Sequence, residues 1–155
     1  LILIGWFLNN AASRSYQQLI IRDLLIDIPV KRMTKRNPPT VPGDITVDIL
    51  IDDYIMQTDD HAFPVMDGDR LVGIVSLEDV RGLQGELRSE KLVSEIMTPR
   101  SEIRTIHPDG DAFEALMTIS RNSVRQLVVM DGDEMIGLVR RRDIIRFLQI
   151  QSEDF

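Results

Sequence analysis

The sequence contains no cysteine, which excludes both a disulfide framework and a thiolate zinc site. Its two histidines, His61 and His107, stand far apart in the chain and are too few for a metal cluster. Neither HExxH nor GxSxG occurs, so the common hydrolase signatures are absent from this segment. There is no excess of basic residues: 18 Lys and Arg against 25 Asp and Glu leave a net charge of -7. That balance argues against a nucleic-acid partner, because phosphate backbones select basic faces. Long apolar runs are missing as well. The stretch Leu1-Ile2-Leu3-Ile4-Gly5-Trp6-Phe7-Leu8 falls far short of the roughly 20 residues that span a bilayer. No basic residue precedes it in this sequence, so it is not expected to be a signal peptide. With 155 residues, 43% of them hydrophobic, the chain can build one or two small domains around a core.

What is present is a duplication. The stretch Met66-Asp67-Gly68-Asp69-Arg70-Leu71-Val72-Gly73-Ile74-Val75-Ser76-Leu77-Glu78-Asp79 is matched 64 positions later, without a gap, by Met130-Asp131-Gly132-Asp133-Glu134-Met135-Ile136-Gly137-Leu138-Val139-Arg140-Arg141-Arg142-Asp143. A match of this length at a fixed offset marks a repeated structural unit. In each copy, Asp-Gly-Asp between two apolar runs predicts a hairpin. Its strands cover 62–66 and 71–75, then 126–130 and 135–139, with closing helices over 77–83 and 141–148.

Upstream of each hairpin the copies also correspond. Met33-Thr34 and Met97-Thr98 lie 64 apart, and Thr40-Val41 precedes a Pro- and Gly-containing turn as Thr105-Ile106 does. The register slips by one residue here, and an extra residue after Pro42 is expected to restore it. Val47, Leu50, Ile51, Tyr54 and Ile55 follow a helical spacing that buries one face. In the second copy Asp111 and Glu114 form a D-x-x-E cap, with Phe113, Leu116 and Met117 expected inward. A leader helix is expected over 11–28, ended by Pro29. Each copy thus reads β-α-β-β-α, and one such unit is marginal alone. The expectation is an α+β (α/β-type) sandwich of two units sharing a core under pseudo-twofold symmetry.

The Met-Thr openings, the Phe63-Pro64-Val65 strand, the Asp-Gly hairpins and the Gly-x-Val-Ser-x-x-Asp ending resemble a tandem pair of CBS domains, a Bateman module. The resemblance divides the chain into a leader (1–28), a first CBS domain (29–88) and a second (89–155). It implies a regulatory module that binds adenosine-containing ligands (AMP, ADP, ATP or S-adenosylmethionine) and assembles as a homodimer. The leader is similar to a second family. Gly5 to Ala12, followed by Tyr16-Gln17-Gln18, resembles the end of the last membrane helix of site-2-type intramembrane zinc metalloproteases. An aliphatic run that ends in Trp6-Phe7 and turns polar at Asn9-Asn10 fits a membrane exit. The alternative is an N-terminus that packs on the core. The first reading implies a segment of a longer membrane protein, its CBS part in the cytoplasm and its zinc held only upstream. This segment itself is then no enzyme.

Ser76 and Asp79 stand where a strand hands over to a helix. A helix start offers free N–H groups to a phosphate, and a carboxylate one turn in can accept both hydroxyls of a ribose. The resemblance assigns those roles to them, with Thr40, Val41, Phe63 and Pro64 at the adenine end. The same Ser-x-x-Asp pattern also serves as a plain helix cap. In the second copy Asp143 persists but Arg140 replaces the serine. Arg140 either grips a phosphate, fills the cleft or pairs with Asp143. The last two outcomes favour a dimerisation scaffold with degenerate clefts.

Overall fold

The computed structural model describes residues 20–122 and 124–151. The expected membrane-exit motif and the first half of the leader helix therefore lie outside the described residues. Within them, helix α1 covers residues 20–25 and stops three residues short of the expectation. Asp27 then takes a left-handed φ of 63°, which turns the chain before Pro29 can act.

The two hairpins form as expected, each strand slightly longer than its apolar run: β3 (Ala62–Asp67) with β4 (Arg70–Ser76), and β7 (Gln126–Asp131) with β8 (Glu134–Arg140). Gly68 and Gly132 both hold φ at 63°. A positive φ at the first central residue of a two-residue turn suits the strand twist, and glycine adopts it without strain. Val65 pairs with Gly73 but Met66 pairs with Leu71, so Val72 is the extra residue of a β-bulge.

Each hairpin becomes a four-stranded sheet by adding two short strands. β2 (Val41–Pro42), β3, β4 and β5 (Thr98–Pro99) form one, in that order. The other runs β1 (Lys35–Arg36), β8, β7, β6 (Thr105–Ile106). Three strands of each sheet come from one repeat and the fourth from the other. β5 of the second repeat lies on β4, and β1 of the first lies on β8. The exchange explains the glycine common to both copies. Gly73 pairs with Pro99 of the incoming strand and Gly137 with Arg36. A Cβ on Gly73 would collide with the Met97 side chain and lie 2.7 Å from the Thr98 carbonyl oxygen.

Hydrogen bonds repeat the exchange. Val93 N donates to Ile45 O at 2.9 Å and Ser94 N to Gly43 O at 3.0 Å. In the same manner Val30 N donates to Gly110 O at 2.8 Å and Lys31 N to Pro108 O at 2.9 Å. These pairings equate Val30 with Val93, an offset of 63. The two Met-Thr pairs, 64 apart, are therefore not equivalent positions, which corrects the alignment expected from sequence.

The helices locate the remaining slip. α2 (Val47–Leu50) starts at the N-cap Thr46, and α5 (Ala112–Arg121) starts at the N-cap Asp111, whose carboxylate accepts from Phe113 N at 2.9 Å. These caps are 65 apart, so the difference is not absorbed after Pro42. It is absorbed in the helix. α2 continues as a π turn over Ile51–Ile55, with Met56 N donating to Ile51 O at 2.9 Å, and a π turn holds one residue more than an α turn. Leu50 to Ile55 thus does over five residues what Ala115 to Ile119 does over four. In α5 the buried residues are Ala112, Ala115 and Ile119. Phe113, Leu116 and Met117 are only half-buried, another correction.

One compact unit comprises residues 35–105 and 128–138, and the other the described residues up to 34, 106–127 and 139–151. The first holds two cores. Val41, Val47, Leu50, Phe63, Val65, Val75, Val80 and Val93 form one, flanked by Tyr54, whose ring meets Phe63 edge-on at 6.3 Å. Ala62, Leu71 and Ile74 with Val128, Met130 and Leu138 form the other, built from both repeats. In the second unit, Arg32 stacks 5.1 Å over the Phe147 ring and Lys31 bonds Asp109 at 3.0 Å.

Candidate functional site

Two strand-to-helix junctions carry the candidate residues. At the first, β4 ends on Ser76 and α3 (Leu77–Arg81) begins. Leu77 N donates to His61 O at 2.9 Å, fastening the helix start to the neighbouring strand. Ser76 is extended, with φ -125° and ψ 168°, which points its side chain back over the first turn. Its Oγ accepts from Asp79 N at 3.4 Å and donates to Asp79 Oδ2 at 3.0 Å. Asp79 Oδ2 also accepts from Ser76 N at 2.9 Å. This is a reciprocal capping box, so the plain-cap reading of Ser-x-x-Asp holds. It does not use up the carboxylate. Asp79 Oδ1 has no partner among the described residues.

At the second junction β8 ends on Arg140 and α6 (Arg141–Gln151) begins. Arg141 N donates to Arg125 O at 3.4 Å, the counterpart of the His61 bond. Both bonds are accepted by backbone carbonyl oxygens, a role that carries no residue-type signal. Asp143 Oδ2 accepts from Arg140 N at 3.0 Å, as Asp79 does from Ser76. The guanidinium then adds two bonds, Nε to Oδ2 at 2.7 Å and Nη2 to Oδ1 at 2.8 Å. Both side chains are largely covered, at 18% and 11% exposure. Of the alternatives for Arg140, pairing with Asp143 is the one observed. The pair is bidentate, the strong form of a charged hydrogen bond.

The other candidates gather near the first junction. Ala62 pairs with Ser76, Phe63 with Val75 and Pro64 with Ile74. Val41 pairs with Val65. Thr40 is exposed, while Val41, Phe63 and Pro64 are buried, and Val41 and Phe63 belong to the core. Because β2 pairs with β3 only at Val65 and Met66, Phe63 and Pro64 stand beyond its ladder. Proline fits there, since no strand on that side calls for its missing N–H.

The Asp67/Asp69 and Asp131/Asp133 pairs belong to the hairpin turns. No group of three or more His, Cys, Asp or Glu among the described residues could hold a metal ion. Nor is any helix among them long and apolar enough to cross a membrane.

A family model for the CBS domain matches residues 27–86 and again 93–150. Rip3 of Mycobacterium tuberculosis, named as a zinc metalloprotease, is 27% identical over 152 residues, which is 97% of this chain and 39% of that protein. Zinc metalloprotease MJ0392 of Methanocaldococcus jannaschii is 22% identical over 97% of this chain and 41% of its own length. The chain therefore spans about two fifths of these relatives. The crystal structure of CBSX2 in complex with AMP matches with a TM-score of 0.69 at 25% identity, covering 79% of this chain and 98% of that one. Two consecutive family matches, the reciprocal exchange of short strands and this structural likeness lead to one conclusion: the chain belongs to the CBS-domain family, as a tandem regulatory pair similar to the segment carried by site-2-type zinc metalloproteases.

Proposed function

We propose that this CBS pair senses an adenine nucleotide and regulates a membrane zinc metalloprotease to which it is attached. The observation that carries the reading is the first junction, where a serine hydroxyl and a carboxylate with one open oxygen stand at a helix start. The Ser76 hydroxyl can turn its one proton from Asp79 Oδ2 to a phosphate, and Asp79 Oδ1 offers an acceptor to a ribose hydroxyl. Thr40 and the backbone beside Phe63 and Pro64 form the adenine end, with Val41 and Phe63 holding it from the core. Support for the attachment comes from the zinc metalloprotease relatives, which align over 97% of this chain. Zinc then belongs to the catalytic part of that protein, and the CBS pair faces the cytoplasm as a homodimer. Ligand control requires only that AMP, ADP or ATP bind one arrangement of the pair more tightly than another.

Titration calorimetry and thermal shift with AMP, ADP, ATP and S-adenosylmethionine test this. A saturable response that Ser76→Ala with Asp79→Ala weakens at least about tenfold is expected. Silence with all four ligands, or a response indifferent to the double substitution, rejects it.

The Arg140–Asp143 pair favours a second reading, a ligand-independent dimerisation scaffold. That reading predicts the same dimer by light scattering with and without nucleotide.

A further inference from the structure

We infer that the second junction is shut by its own arginine, so that the chain takes up one nucleotide rather than two and Arg140 is the residue that sets this number. The inference rests on the nucleotide-sensing reading for its ligand, but on the geometry of the second junction for its content.

The two carboxylates differ in what they have left. Asp79 receives both of its bonds on Oδ2, from Ser76 N and Ser76 Oγ, and keeps Oδ1 open. Asp143 receives Arg140 N and Nε on Oδ2, and Nη2 on Oδ1. A ribose presents its two hydroxyls as a pair of donors to one carboxylate. The guanidinium presents Nε–H and Nη2–H as the same kind of pair, already in place and carrying a positive charge. A neutral diol cannot displace it on equal terms, because charged donors bond a carboxylate roughly twice as strongly as neutral ones. The arginine is also tethered three residues away, so its pairing costs none of the translational freedom that an incoming ligand loses. Arg140 is in effect an intramolecular stand-in for the ribose.

The rest of the second junction matches the first. The strand end, the helix start, the carbonyl staple (Arg125 O in place of His61 O) and the bond from the strand's last N–H to the carboxylate are all repeated. α6, at eleven residues, is longer than α3 at five. What separates an open junction from a shut one is a single side chain. Replacing Arg140 by serine restores the hydroxyl cap of the first copy and frees Asp143 Oδ1.

Titration calorimetry with AMP and with ATP on the 155-residue chain reads the stoichiometry. One molecule per chain is expected for the wild type, two for Arg140→Ser, and one for the triple variant Ser76→Ala, Asp79→Ala, Arg140→Ser. Two molecules on the wild type, or one on a folded Arg140→Ser chain, overturns the inference. Arg140→Thr is made in parallel in case the serine variant fails to fold, with circular dichroism reporting the fold. A third readout needs no variant. The Arg140 Nε–H nuclear magnetic resonance signal of the wild type should be shielded from exchange and unmoved at saturating nucleotide; its displacement overturns the inference. If the wild type binds nothing, the sensing reading fails by itself. A one-site Arg140→Ser chain then still supports the shut junction, and a silent one overturns it.

Discussion

The first and second strand-to-helix junctions share backbone bonds and a carboxylate, and differ in the side chain that meets that carboxylate, serine at one and arginine at the other. At the first, a serine caps the helix and leaves a carboxylate oxygen over. At the second, an arginine occupies both oxygens. The lesson is that a repeated scaffold keeps what folding needs in both copies, while the chemistry offered to a ligand depends on a position that folding leaves free. The helices upstream teach the converse. There the scaffold itself differs by one residue, and a π turn hides the difference.

That contrast between helices can be broken most forcefully by deletion. Removing Thr118 from α5 turns Ile119 off the buried face and should cost about 3 kcal/mol or more. Removing exposed Asp53 from the π turn restores the four-residue spacing of the other copy and should cost about 1 kcal/mol or less. Chemical denaturation of the two variants checks the difference, and equal losses would remove the insertion account. Next in size is Gly73→Ala. Its new methyl meets the Thr98 carbonyl of the exchanged strand, a group that cannot rotate away, and a loss of about 2 kcal/mol is expected in the same measurement.

At the junctions the losses should be unequal too. Asp143→Ala removes two charged hydrogen bonds from a largely covered guanidinium and should destabilise by about 2 kcal/mol. Asp79→Ala removes half of a capping box but leaves no charged partner behind, and should cost about 1 kcal/mol. If urea midpoints fall equally, the two carboxylates carry the same structural load and the comparison loses its edge.

The smallest effect lies outside both junctions. The Lys31 ammonium, through its hydrogen bond and its charge, holds the Asp109 carboxyl below the usual carboxylate range. A depressed folded value means that its contribution is present above the unfolded value and lost as pH falls through the folded one. Melting temperature should therefore drop slightly more steeply below about pH 4 in the wild type than in Lys31→Ala.

Much of this architecture was legible because it is local. Asp-Gly-Asp announces a turn needing φ > 0 at Gly68 and Gly132, and the short apolar runs on either side announce the strands. Ser76-x-x-Asp79 announces a cap. Where the sequence signal misled, a long-range partner decided. Met33-Thr34 and Met97-Thr98 look equivalent as strings, yet Thr34 stops short of β1 while Thr98 opens β5, because pairing with β8 and β4 equates Lys35 with Thr98. Phe113, Leu116 and Met117 have the right spacing for a core face, but the face that is fully buried carries Ala112, Ala115 and Ile119. At the candidate site, residue types showed that Arg140 could pair with Asp143 or reach a ligand. Only the placement of three nitrogens against two oxygens shows that the pair with Asp143 forms.

The sequence by itself thus determined the duplication, the hairpins and the capped junctions, because each depends on a few neighbouring φ angles and side chains. Tertiary structure alone decided which repeat each short strand joins, where the one-residue slip is absorbed, and which carboxylate keeps an oxygen open. Those depend on atoms brought together from distant parts of the chain, or on a side-chain conformer that spacing leaves undetermined.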